Sequence, residues 1–175
     1  LGEVTYFSPL ADTSLPDADF VYLPGGYPEL YLAALSANRQ MLQSIRRYVE
    51  SGGKLLAECG GMMYLCDEIR DKNGDVYPMA GVLHQSATME NMKLRLGYRT
   101  LLYNETRLKG HEFHYSRLVE QQNPLPSCAV AYTAKGVETD TPLYHYKNVW
   151  AGYTHLYWAD PVGNEWFTKF VIDGN

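Results

Sequence analysis

Up to about Asp71 the chain alternates short apolar runs with apolar residues at helical spacing, and after that it turns to brief, aromatic, strand-like segments. The opening, Leu1-Gly2-Glu3-Val4-Thr5-Tyr6-Phe7-Ser8-Pro9, reads as the end of a helix followed by a strand. A doubly wound domain begins on a strand, so one further βα unit is expected ahead of it. Asp19 to Leu23 is the next strand, closed by the turn cluster Pro24-Gly25-Gly26-Tyr27-Pro28. A short helix is predicted from Glu29 to Leu35. Asn38 then caps a longer one, in which Met41, Leu42, Ile45, Tyr48 and Val49 fall on one face and Gly52 and Gly53 form the stop. Lys54-Leu55-Leu56-Ala57-Glu58 is an apolar strand that runs into Cys59, two glycines and the apolar start of a helix. Strand, helix, strand and helix joined by short links predict a parallel sheet with right-handed crossovers.

The second half is predicted to be richer in β-structure. Asp71-Lys72-Asn73-Gly74-Asp75 is a tight turn and Met79 to Leu83 a brief strand. Strands are then expected at Tyr98–Tyr103, Glu112–Leu118, Ala129–Thr133, Leu143–Tyr146 and Val149–His155, with a closing helix from Gly163 to Ile172 whose apolar face carries Trp166, Phe167 and Phe170. The fold class is therefore α/β, a mostly parallel sheet with helices on both faces. No repeat, low-complexity tract or linker divides the chain.

Composition narrows the function. A chain of 175 residues with 46% hydrophobic and 20% charged residues can bury a full core and is not disordered. The net charge of -5 argues against a nucleic-acid face, which needs clustered Lys and Arg. No run is long enough to cross a bilayer, no signal-peptide pattern opens the sequence, and three cysteines without paired spacing do not form a disulfide framework. A cytoplasmic enzyme is expected, with no membrane and no nucleic acid among its partners. The 15 tyrosines suit β-rich structure first and a broad, partly polar ligand second.

The candidate chemistry gathers at Cys59. A thiol at a strand-to-helix corner stands clear of the sheet, and the small residues Gly60 and Gly61 leave room for a substrate, the arrangement acyl transfer needs. A base and an oxyanion site are also required. Of the five histidines, His84, His111, His114, His145 and His155, the last ends a predicted strand, and strand carboxyl ends line the ligand crevice of an open α/β sheet. Gly25-Gly26, after the strand ending at Leu23, puts bare backbone amides on the same edge, and the Gly60 amide lies beside the nucleophile. His111-Glu112-Phe113-His114 is poor metal-ligand geometry, because residues 111 and 114 of a strand point to opposite faces. No metal is expected here.

Leu23-Pro24-Gly25-Gly26-Tyr27-Pro28-Glu29, Ala57-Glu58-Cys59-Gly60-Gly61-Met62-Met63-Tyr64-Leu65, Gly110-His111-Glu112-Phe113-His114-Tyr115-Ser116 and Tyr153-Thr154-His155-Leu156 occur in that order. Together they closely resemble the C-terminal glutaminase domain of the cobyrinate a,c-diamide synthases, class I glutamine amidotransferases with a flavodoxin-like fold. The sister cobyric acid synthases would show Gly-Tyr-Glu-Ile-His where this chain has Gly110 to His114. The resemblance implies one amidotransferase domain over 1–175, with an ATP-dependent synthetase domain upstream. It implies Cys59 as nucleophile, His155 as acid and base, and the amides of Gly26 and Gly60 as the oxyanion site. L-glutamine is the ammonia donor it implies, and ATP and magnesium act in the full-length enzyme, with no cofactor in this domain. Tyr27, His111, Glu112 and His114 are assigned to substrate or interdomain contact, near a corrin substrate. For the His111–His114 motif a purely structural role, fixing one strand to its neighbour, stands as the alternative.

The chain departs from the wider class at two positions. Ala57 stands where most members carry Gly, and Tyr157 stands where many have a glutamate two positions after the histidine. A Cys-His pair is therefore expected, with Glu29, Glu58 or Asp160 open as the group orienting His155. Cys66 and Cys128 read as structural. Lys93, Arg95, Arg99 and Arg107 either meet acidic substrate groups or are solvated. Two other functions remain open: action on nickel-sirohydrochlorin rather than a corrin, and a docking module that keeps the fold without turnover.

Overall fold

The computed structural model describes residues 2–173. In chain order the first half contains β1 (Phe20–Leu23), a 3₁₀ turn (Pro28–Leu30), α1 (Leu32–Ala37), α2 (Arg39–Glu50), β2 (Lys54–Glu58) and α3 (Gly60–Leu65). The second half contains β3 (Glu68–Arg70), β4 (Val76–Pro78), β5 (Ser86–Thr88), β6 (Arg95–Tyr103), β7 (Thr106–His114) and β8 (Arg117–Leu118). It continues with β9 (Val130–Thr133), β10 (Glu138–Thr139), β11 (Leu143–Tyr146), β12 (Val149–Gly152), β13 (His155–Leu156) and α4 (Pro161–Asp173).

Three sheets result. The central one has the order β1-β2-β12-β11, with β1, β2 and β12 parallel and β11 antiparallel at one edge. A larger antiparallel sheet follows the order β10-β9-β6-β7-β13, and a small mixed one the order β4-β3-β5-β8.

Strand β2 is buried from Leu55 onward, as expected of a strand covered on both faces. Its alternate residues enter two different cores. Leu55 and Ala57, with Val21, Leu23, Val149 and Ala151 beside them, pack against Met41, Leu42, Ile45 and Val49 of α2 and Met62 and Leu65 of α3. Leu56 faces the other way, and with Trp150 and Leu143 it meets Leu101, Leu108 and Ala131 of the antiparallel sheet and Trp166 and Phe170 of α4. Trp150 lies at the centre of that second core, edge-on to Tyr103 at 4.8 Å and to Trp166 at 5.1 Å. The result is an α/β fold with helices on both faces of a mostly parallel sheet and a β-rich second half.

Helix α2 forms as its pattern predicts. Asn38 Oδ1 accepts from the Met41 amide at 3.3 Å, a cap of the kind that contributes about 1 kcal/mol. Gly52 ends the run at φ 94°, in the left-handed region that a β-carbon disfavours.

Four expectations need correction. No strand forms between Val4 and Ser8; that stretch leads into a turn, with the Asp12 amide donating to Ser8 O at 2.8 Å and Asn38 Nδ2 donating to Pro9 O at 2.8 Å. Met79 to Leu83 is not a strand either. Its amides serve the end of α3, Ala80 donating to Tyr64 O at 3.1 Å and Val82 to Leu65 O at 2.9 Å, and so satisfy carbonyls that a helix terminus leaves free. The strand predicted from Glu112 to Leu118 is broken: β7 ends at His114, and Arg117–Leu118 pairs with β5 in the small mixed sheet as β8. The strand predicted from Val149 to His155 stops at Gly152, and the chain then crosses to the antiparallel sheet, where His155 pairs with His111 and Leu156 with Gly110. Gly110 permits that approach: a Cβ there would lie 2.3 Å from the His155 carbonyl oxygen.

Candidate active site

Strand β2 delivers Cys59 to a sharp corner with φ 49° and ψ −109°. A residue with a β-carbon is strained in that conformation, by about 1–3 kcal/mol, and holds it only because its surroundings fix both ends. The Cys59 amide donates to Gly152 O at 2.8 Å, completing the β2–β12 pairing, and the Cys59 carbonyl accepts from the Met63 amide at 3.0 Å, starting α3. The next two residues leave no space for side chains. A Cβ on Gly61 would stand 2.2 Å from Leu23 O, and one on Gly60 would stand 2.6 Å from Gly26 O and 2.9 Å from Pro28 Cδ. The end of β1, the Gly25–Pro28 turn and the elbow thus interlock around a buried thiol, whose Sγ is 3.9 Å from the carbonyl oxygen of Phe113.

His155 reaches the same place from the antiparallel sheet. Its ring packs against the Cα of Gly25 and stacks on His111 at 5.1 Å between centroids with 23° between planes. Its Nδ1 is 3.5 Å from Glu58 Oε2. The Cys59 sulfur and the Glu58 carboxylate hold the imidazole well above its usual range, to about 9, against the opposing effect of burial. The ring therefore holds a proton taken from the thiol more firmly than a free imidazole would.

Glu58 is itself buried and saturated with partners. Its Oε1 accepts the Leu156 amide at 3.1 Å, and its Oε2 accepts the Tyr22 hydroxyl at 2.7 Å. Burial and the neighbouring Glu58 charge both raise the Tyr22 phenol above its ordinary value.

Of the four residues assigned to substrate or interdomain contact, Tyr27 and His111 are exposed, whereas Glu112 and His114 are buried. Alternation along β7 separates them. Glu112 is fully enclosed, 3.0 Å from Arg99 Nη2, and accepts from the Thr154 hydroxyl at 3.2 Å. Burial pushes its carboxyl up, but hydrogen bonds from His114 and Thr141 and the Arg99 charge outweigh that and hold it below the ordinary carboxylate range. His114 Nδ1 lies 2.9 Å from Ser116 O, and its ring stacks on Tyr153 at 3.8 Å. These contacts tie β7 to Tyr153 and Thr154, the segment before His155. Arg99 is spent on Glu112, and Arg95 is paired with Asp140.

Among the groups open as orienters of His155, only Glu58 touches the ring among the described residues; Asp160 is taken by Lys109 at 2.6 Å. Sequence reasoning missed Tyr22, and Arg99, expected to meet substrate acids or to be solvated, is instead paired with the buried Glu112. Tyr22 follows Val21 on a strand whose burial alternates, a position where a tyrosine can pack one edge and present its hydroxyl at the other.

Solved structures share this fold. A structure titled "Crystal structure of glutamine amidotransferase" superposes with a TM-score of 0.56 at 18% identity, covering 87% of this chain and 79% of that one. PurLQS from Thermotoga maritima superposes with a TM-score of 0.56 at 17% identity, covering 94% and 81%.

The family described as "CobB/CobQ-like glutamine amidotransferase domain" matches residues 2–162, and the chain belongs to it. It is 39% identical over 161 residues to the hydrogenobyrinate a,c-diamide synthase of Pseudomonas aeruginosa, covering 89% of this chain and 35% of that protein. It is likewise 39% identical over 163 residues to the cobyrinate a,c-diamide synthase of Fusobacterium nucleatum, again covering 89% and 35%. The chain thus spans little more than a third of the length of these relatives.

Proposed function

We propose that this chain is a glutaminase that supplies ammonia for amidation of the a- and c-carboxylates of cobyrinate or a closely related corrin. The observation that carries the proposal is the placement of the His155 ring against Gly25 and 3.5 Å from Glu58, the residue before Cys59 on its strained elbow. The Cys59 sulfur attacks the side-chain amide carbon of glutamine, and its proton passes to His155. An imidazole held at about 9 keeps that proton through the attack and gives it to the departing nitrogen. The carbon–nitrogen bond breaks, ammonia leaves, and a γ-glutamyl thioester remains on Cys59. The developing oxyanion is held by the amides of Gly26 and Gly60. Water that has given a proton to His155 then attacks the thioester, and glutamate departs as the thiol re-forms.

Ammonia passes to a synthetase, where ATP and magnesium activate the substrate carboxylates. The length of the relatives beyond this chain leaves room for such a portion. The relatives' names support a corrin as acceptor, and Tyr27 and His111, exposed beside the elbow, are the side chains through which the synthetase or its substrate would meet this site.

The test is covalent. A glutamine-analogue alkylating agent should modify Cys59, located by mass spectrometry, and glutamine should protect it. A folded protein left unmodified at Cys59 would instead mark a docking module of the same fold. In the complete enzyme, amidation of nickel-sirohydrochlorin but not of a corrin would reassign the acceptor.

A further inference from the structure

We infer that Glu58, the residue immediately before the nucleophile, is the positioning residue that orients His155 and fixes its tautomer. This rests on the reading of Cys59 and His155 as the reacting pair and deepens it by supplying the group that the sequence leaves open at Tyr157.

In a strand continued past its end, residues 58 and 59 would point to opposite faces. The left-handed conformation of Cys59, φ 49°, breaks that alternation, so adjacent side chains approach one imidazole. The Glu58 carboxylate is anchored at both oxygens. One holds the Leu156 amide at 3.1 Å, which ties down the residue after the histidine; the other holds the Tyr22 hydroxyl at 2.7 Å and lies 3.5 Å from His155 Nδ1. Glu58 is 3% exposed, so its interaction with the ring is little screened by water. The neighbouring carboxylates are engaged elsewhere, Asp160 by Lys109 and Glu112 by Arg99, and Tyr157, at the position where a class I glutamate would be sought, is 60% exposed.

With Nδ1–H donated to Glu58, Nε2 is left to exchange the proton with the thiol and then with the leaving nitrogen. Glu58 stays ionised throughout. It neutralises the imidazolium and takes no proton, the division of labour of a histidine–carboxylate pair in acyl transfer.

The experiment is Glu58→Gln, which keeps shape and removes charge, with Tyr22→Phe as a milder second variant that leaves the carboxylate but frees one of its anchors. Glutamine hydrolysis should fall by about a hundredfold to ten-thousandfold in kcat for Glu58→Gln, with KM nearly unchanged, and by about tenfold or less for Tyr22→Phe. The His155 ring, followed by NMR on the intact chain, should titrate about one pH unit or more lower in Glu58→Gln than in the parent. The NMR readout does not require turnover, and a merely structural glutamate would not move it. An unchanged His155 titration, or an unchanged kcat and pH profile in Glu58→Gln while Cys59→Ala is inactive, would overturn the role of Glu58 and leave the proposed function standing. Glutamine turnover that survives Cys59→Ala would instead overturn the proposed function. Should Glu58→Gln fail to fold, Tyr22→Phe decides: a His155 titration identical to the parent's, with no change in the kcat–pH profile, overturns the assignment.

Discussion

A Cβ placed on Gly25 would stand 2.2 Å from Cε1 of His155 and 3.0 Å from its Nε2, so the imidazole occupies space that any side chain at residue 25 would claim. Gly25→Ala should push the ring away from the thiol while leaving the buried cores untouched. Glutamine hydrolysis is expected to fall by about a hundredfold in kcat, since a displacement near 1 Å is enough for that. Thermal melting should move by only a few degrees. Steady-state kinetics and a melting curve on the same preparation check both.

Cys59→Ser should abolish glutamine-dependent amidation in the complete enzyme and spare amidation driven by added ammonium salt, because a serine hydroxyl is a far poorer nucleophile with this base. Parallel assays with glutamine and ammonia measure the ratio. Equal loss of both would make the cysteine a structural residue.

Stability should carry the signature of His155. Its folded-state value is raised to about 9 by Cys59 first and Glu58 second, above the ordinary 6.5. A group raised in the folded state contributes stability that is complete below the unfolded value and disappears as pH climbs through the folded one. Urea midpoints should therefore decline between about pH 6.5 and 9 in the parent protein, relative to a His155→Gln variant in which that decline is absent.

Arg99→Met should unfold the chain far more readily than a surface substitution would. It leaves Glu112, which is fully buried, without its charge partner at 3.0 Å, and uncompensated buried charges of this kind cost about 3–5 kcal/mol. Replacing both partners, Arg99→Met with Glu112→Gln, should restore part of the loss. Denaturant titrations of the single and double variants give the coupling.

The elements legible in the sequence were those whose partners lie close in the chain. Asn38 could be read as a cap because its acceptor serves Met41, three residues on, and the elbow at Cys59 could be read because strand, thiol and glycines are contiguous. What escaped depends on contacts between distant segments. Met79 to Leu83 has strand composition, yet its amides are claimed by Tyr64, Leu65 and Cys66 at the end of α3. His155 was read as the end of the strand from Val149, but that strand stops at Gly152 and His155 opens β13, because its pairing with His111 is invisible without the fold. The buried roles of Glu112 and His114 follow from the register of β7 against β6, which a four-residue motif does not carry.

The crossing between Gly152 and His155 places the strand that leads to Cys59 in one sheet and His155 in another. On the proposed mechanism, turnover is a property of how two layers are stacked, and that stacking depends on Trp150, Leu56 and Leu143 gripping Leu101, Leu108 and Ala131. Erosion of this apolar seam would separate sulfur from ring while every strand still kept its own hydrogen bonds. Loss of turnover in a warmed or mildly denatured sample would then register slippage between layers before spectroscopy saw any melting.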